Sequence, residues 1–80
     1  MEAPESYPVR AELPGTVSDV VAAVGDTVRP GDAVVLLDSM KMEIPVLAPR
    51  AGTVRRIVVG PGDRVQQGDL VAVLDAVPQV

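Results

Sequence analysis

The chain has 80 residues, a formal net charge of −4, no cysteine, no histidine and one aromatic side chain, Tyr7. One small domain of this length buries only about 60 to 65 per cent of its unfolded surface, and without His or Cys it lacks the commonest general bases, nucleophiles, transition-metal ligands and any disulfide, so a non-catalytic domain without a metal is expected. The acidic balance and the lack of aromatic platforms argue against nucleic acid, and no apolar run nears the roughly 18 residues of a membrane span, so a cytoplasmic protein with neither partner is expected.

In chain order, the opening MEAPES is acidic and proline-bearing, and residues 1–6 are expected to be disordered. A single domain is expected over residues 7–76 and a short tail over 77–80; the start at MEAPES and the ending AVPQV read as a free-standing protein, monomeric when free. Val, Ile, Leu and Thr dominate the body, and Gly15, Gly25, Gly31, Gly52, Gly62 and Gly68 fall between the apolar runs. This pattern predicts short strands near residues 7–11, 16–22, 33–38, 42–47, 53–59 and 70–75, joined by glycine turns. The stretch AVVLLDSMKME also holds good helix formers, and a short apolar run does not fix its period. Its counterpart LVAVLDAV is rich in β-branched residues and bounded by Gly68 and Pro78, which decides for strands in both.

That counterpart belongs to an internal repeat. Residues 11–38, AELPGTVSDVVAAVGDTVRPGDAVVLLD, align without a gap on residues 48–75, APRAGTVRRIVVGPGDRVQQGDLVAVLD, with 13 of 28 positions identical. Two copies are too few for a solenoid. They fit a closed all-β object, a flattened barrel or sandwich in which each copy covers the apolar side of the other about an approximate twofold axis. Val17, Val28, Val34, Val54, Val65 and Val71 are expected inside.

Between the copies stands LLDSMKMEIPV, which holds the only lysine of the chain, Lys41. Residues 33–47 contain no glycine and exceed the usual five or six residues of a strand, so the chain must reverse within them. The second copy's strand ends at Asp75, which places the end of its partner at Asp38 and sets Met40 and Lys41 at a hairpin tip. Two-residue hairpin turns favour Asn or Gly because they often need φ > 0. Holding other residues there costs about 1 to 2 kcal/mol each, and a local rule broken at one place marks where function is expected.

SMKME at such a tip, between two GTV…GD…V…GD…V…LD copies, resembles the biotinyl domain family, the carrier domains of biotin-dependent carboxylases. The resemblance runs from about Val9 to Asp75. It implies a barrel-sandwich hybrid of two four-stranded sheets, with biotin amide-linked to Lys41 and with Met40 and Met42 recognised by the ligase and partner enzymes. Ser39 stands where the family more often has alanine, a change that keeps the residue small. The gapless repeat leaves no room between Val20 and Val28 for the protruding thumb of some bacterial carriers, so the compact type is implied. A lysine amine in water is protonated at neutral pH, so acylating it needs an activated acid and a base supplied from outside; the implied partners are a biotin protein ligase, a biotin carboxylase and a carboxyltransferase acting on an acyl-CoA or oxoacid.

Each singled-out residue also has a plainer reading. A lone lysine on a turn is usually a solvated charge, Met40 and Met42 could fill gaps in a core, and Glu43 reads either as a surface carboxylate or as a ligase contact. Asp26, Asp32 and Asp38 recur at even spacing without the ligand pattern of a calcium loop, and turn formation accounts for the first two. Arg50, Arg55 and Arg56 read as a solvated basic group or as a contact for an acidic partner. Two other functions share the fold: a lipoyl carrier of an oxoacid dehydrogenase complex, whose tip usually reads Asp-Lys-Ala, and an unmodified adaptor domain.

Overall fold

The computed structural model describes residues 6–76, and among them the chain forms strands and turns but no helix. The strands are β1 (Ser6–Arg10), β2 (Gly15–Val20), β3 (Thr27–Val28), β4 (Ala33–Ser39), β5 (Met42–Leu47), β6 (Gly52–Ile57), β7 (Arg64–Val65) and β8 (Leu70–Ala76). They make two antiparallel four-stranded sheets, ordered β1-β8-β6-β3 and β5-β4-β2-β7. The repeat maps β2, β3 and β4 onto β6, β7 and β8, and β5 onto β1, so each sheet becomes the other under the approximate twofold. Each sheet takes a short strand from the opposite copy, with β7 beside β2 and β3 beside β6. The architecture is the barrel-sandwich hybrid expected from the sequence, and the stretch between Val20 and Val28 holds a tight turn and no thumb.

The same interlocking appears in the turns. Gly25 N–H donates to Val54 O and Val54 N–H to Asp26 O, while Gly62 N–H donates to Val17 O and Val17 N–H to Asp63 O, all at 2.8 Å. The turns of one copy thus satisfy backbone groups on strands of the other, which buried polar groups require. Four turns are built alike, with glycine at a φ between 90 and 95° in the third position and aspartate in the fourth. The carboxylates of Asp26, Asp32, Asp63 and Asp69 accept from the N–H of the first turn residue at 2.8 to 2.9 Å. Asp26 and Asp32 therefore serve their own turns, as expected, while Asp38 lies apart from them on β4.

The core fills the space between the sheets. Val17, Val28, Val34, Val54, Val65 and Val71 are all buried, as the repeat predicts, with Val9, Val35, Leu37, Val46 and Leu74 among them. Each such side chain contributes about 1.5 to 3 kcal/mol relative to exposure. Gly52 is buried for a different reason: a Cβ there would stand 2.6 Å from the carbonyl oxygen of Asp75, so β6 and β8 approach closely only without one.

Several details differ from the sequence expectation. The two-residue strands β3 and β7 were not anticipated, because their length is below any periodicity and only pairing with the other copy defines them. Strand β2 stops at Val20, not Ala22, since Val21 and Ala22 both donate to Val34 O as the chain turns away, and β6 likewise stops at Ile57. Strand β1 begins at Ser6, one residue inside the segment expected to be disordered; residues 1–5 and the tail 77–80 lie outside the described residues. Finally, β2 and β6 carry equivalent bulges that turn Ser18 and Asp19 on one sheet, and Arg55 and Arg56 on the other, to solvent.

Candidate functional site: the tip of the β4–β5 hairpin

Strands β4 and β5 pair down to Ser39 opposite Met42, leaving Met40 and Lys41 as a two-residue loop. Their φ values, 50° and 67°, are those of a type I′ turn, and they are the non-glycine residues with positive φ among the described residues. The register that puts them there is fixed lower in the hairpin. Leu37 faces Ile44 and Val35 faces Val46, with Leu37, Val35 and Val46 buried in the core. A slip of one residue would turn these side chains to water, so burial in the stem forces the strained turn at the tip.

The tip itself is solvated. Met40 is 93% exposed and Met42 63%, and Lys41 is exposed with no hydrogen bond or ion pair among the described residues. The methionines therefore do not fill gaps in the core. An apolar side chain held almost wholly in water adds nothing to folding, and two of them around a free amine make a small apolar collar on a charged centre. Beneath it, β4 is an interior strand held by β5 and by β2, a stem that fixes where the amine is presented.

Glu43 lies on the outer face of the hairpin sheet, opposite Asp38. The pairing of like charges there is weakly unfavourable. Ser18, reached across β4 from β2, has its hydroxyl 3.2 Å from Leu36 O and 3.4 Å from Glu43 Oε2, so its one proton can serve either. Asp38 opposite Glu43 follows from the two-residue loop alone, whereas Ser18 could not be singled out as a neighbour of Glu43 because its contact depends on a cross-strand register set by the bulge in β2. On the other sheet Arg55 takes the place of Ser18, and its Nη1 lies 3.6 Å from Asp75 Oδ1, a buried atom without a hydrogen bond among the described residues. Of the basic group, Arg50 lies over the Tyr7 ring at 4.4 Å, Arg55 pairs with Asp75, and Arg56 is solvent-exposed. The twofold equivalent of the tip is the place where β8 ends and β1 begins, with Asp75 opposite Ser6.

Comparison with known proteins agrees with this geometry. The sequence model of the biotin/lipoyl family, described as "Biotin-requiring enzyme", matches residues 7–74. Biotinylated protein TB7.3 of Mycobacterium tuberculosis is 60% identical over 37 residues, 46% of this chain and 52% of that protein. Its homolog in Mycobacterium leprae is 57% identical over the same length. The chain thus matches about half the length of these curated relatives. Among solved structures, the urea carboxylase of Kluyveromyces lactis superposes with a TM-score of 0.84 at 39% identity, covering 92% of this chain and 6% of that one. A single-chain, multi-domain long-chain acyl-CoA carboxylase superposes with a TM-score of 0.84 at 35% identity, covering 96% of this chain and 8% of the other. With most of its length matched by the family model, and with the fold of a small part of two carboxylases, this chain belongs to the biotin/lipoyl family as a biotinyl carrier domain.

Proposed function

We propose that the domain is a biotin carboxyl carrier whose attachment residue is Lys41. The observation that carries this reading is the tip: an exposed lysine amine, unpaired among the described residues, in a left-handed two-residue turn between two exposed methionines, on a stem whose register the core fixes. Biotin joined there by an amide takes carboxylate from a biotin carboxylase and delivers it to a carboxyltransferase acting on an acyl-CoA or an oxoacid.

The protein's own part is positioning. Lys41 offers its amine far enough from the body of the sheet for a ligase to enclose it, and among the described residues no carboxylate pairs with it. Met40 and Met42 supply apolar contact to the ligase and to the partner enzymes at little conformational cost, since an unbranched thioether adapts to more than one pocket. Glu43, steadied by Ser18, offers a carboxylate one step below the collar as a ligase contact. After modification the stem tethers the arm near successive partners, which replaces free diffusion by a high effective concentration. No general base or nucleophile is required of the chain, in keeping with a carrier that leaves catalysis to its partners. The relatives' names support biotin over lipoate, as does Met-Lys-Met over Asp-Lys-Ala at the tip.

The test is labelling of the purified protein by a biotin protein ligase with ATP and biotin, followed by streptavidin blotting and peptide mass mapping. One biotin, on Lys41, is expected. Replacing Met40 by Asp and Met42 by Ala should lower the rate of labelling; equal rates before and after would remove the methionines from recognition, and label confined to the N-terminal amine would remove Lys41 from the account.

A further inference from the structure

The tip carries a second kind of chemistry. The chain has no cysteine and three methionines, of which Met1 lies outside the described residues. The other two flank Lys41, and Met40, at 93%, is more exposed than any other large apolar side chain among the described residues. Thioether sulfur is the most readily oxidised group the chain offers, and exposure governs how fast a methionine is oxidised. We infer that Met40 and Met42 form an oxidation site, and that their sulfoxides block modification of Lys41 while leaving the fold intact.

The step is balanced with a peroxide as oxidant. With hydrogen peroxide, the thioether sulfur attacks one oxygen, the O–O bond breaks as a sulfur–oxygen bond forms, and the second oxygen leaves as hydroxide, which takes the proton from the transferred oxygen and becomes water. The sulfur loses two electrons and the peroxide gains them. The product replaces an apolar side chain with a polar one bearing a strong acceptor beside the Lys41 amine. In most proteins this lesion disrupts packing, because methionine is usually buried. Here neither thioether contributes to the core, which is built from Val, Leu and Ala of the two sheets, so oxidation has no burial to undo. The backbone of the turn is held by Leu37, Val35 and Val46 lower in the stem and is likewise independent of the sulfur. The effect therefore falls on recognition alone: a partner pocket shaped for a thioether would have to bury a sulfoxide oxygen without a donor to meet it. Two sulfoxide epimers form, each reducible by its own class of methionine sulfoxide reductase, so the change is reversible.

This inference rests on the reading of Lys41 as the biotin attachment residue, and one experiment separates the two. The protein is treated with hydrogen peroxide until fragment masses show one added oxygen at each of Met40 and Met42. Thermal unfolding and the rate of labelling by biotin ligase are then measured on the reduced, the oxidised and the reductase-repaired protein. Labelling of the oxidised protein is expected to fall at least tenfold, with the melting temperature unchanged and labelling restored after repair by the two reductases together. Full-rate labelling of the doubly oxidised protein overturns the inference, as does a melting loss that tracks the labelling loss, or repair that removes the oxygens without restoring the rate. Failure of the reduced protein to accept biotin on Lys41 overturns the functional reading itself.

Discussion

Replacing Met40 and Lys41 together by Asn and Gly should make the domain more stable while removing its function. Both residues sit at positive φ, 50° and 67°. For a residue with a Cβ, that conformation costs about 1 to 2 kcal/mol, so even the low end gives about 2 kcal/mol stored in the loop. Asn and Gly are the residues such a turn favours. Glycine returns part of the gain by adding freedom to the unfolded chain, roughly 0.4 to 1 kcal/mol. No burial is lost, because Met40 is 93% exposed and the Lys41 side chain has no partner among the described residues. The net expectation is a stabilisation of about 1 to 1.5 kcal/mol. For a domain of this size each kcal/mol moves the melting temperature by roughly 4 to 8 °C, so a rise of about 4 to 12 °C is expected. Differential scanning calorimetry and urea titration of parent and variant measure it. A variant melting at or below the parent would refute the idea that the tip sacrifices stability for presentation of the lysine.

Lys41→Arg should change stability by no more than about 0.5 kcal/mol and abolish labelling by biotin ligase, read by calorimetry and streptavidin blotting; loss of folding would mean that the lysine is structural. Gly52→Ala and Gly15→Ala, at equivalent sites, should differ: the added Cβ meets a carbonyl oxygen at 2.6 Å at Gly52 and at 3.0 Å at Gly15. The first should cost about 1 to 3 kcal/mol and the second less, and equal costs by urea titration would contradict the close approach of β6 and β8. Leu37→Ala removes a fully buried side chain and should cost about 2 to 5 kcal/mol, enough to leave much of so small a domain unfolded by circular dichroism at 37 °C.

Much of this structure could be read from the sequence because the repeat does the work of a second observation. A short apolar run such as AVVLLD does not reveal its own period, but the copy LVAVLD bounded by Gly68 and Pro78 does. The same alignment carries the end of β8 across to β4 and so locates the tip from the sequence. The six valines expected inside occupy equivalent places in the two copies and are buried in both. What the sequence withheld depends on pairing between copies. Strands β3 and β7 are two residues long and exist only as partners of β6 and β2. The bulges that turn Ser18 and Asp19 outward, and the resulting contact of Ser18 with Glu43, follow from a register shift that alternation does not record. The positive φ of Met40 and Lys41 was legible only as a consequence of loop length, because neither residue type announces it.

The central claim is that Lys41 carries biotin, and the mass of the protein isolated from its native host tests it most directly. A single biotinyl adduct, assigned by fragment masses to Lys41, is expected. A lipoyl adduct there, a biotin elsewhere, or an unmodified chain from cells with an active biotin ligase would contradict it.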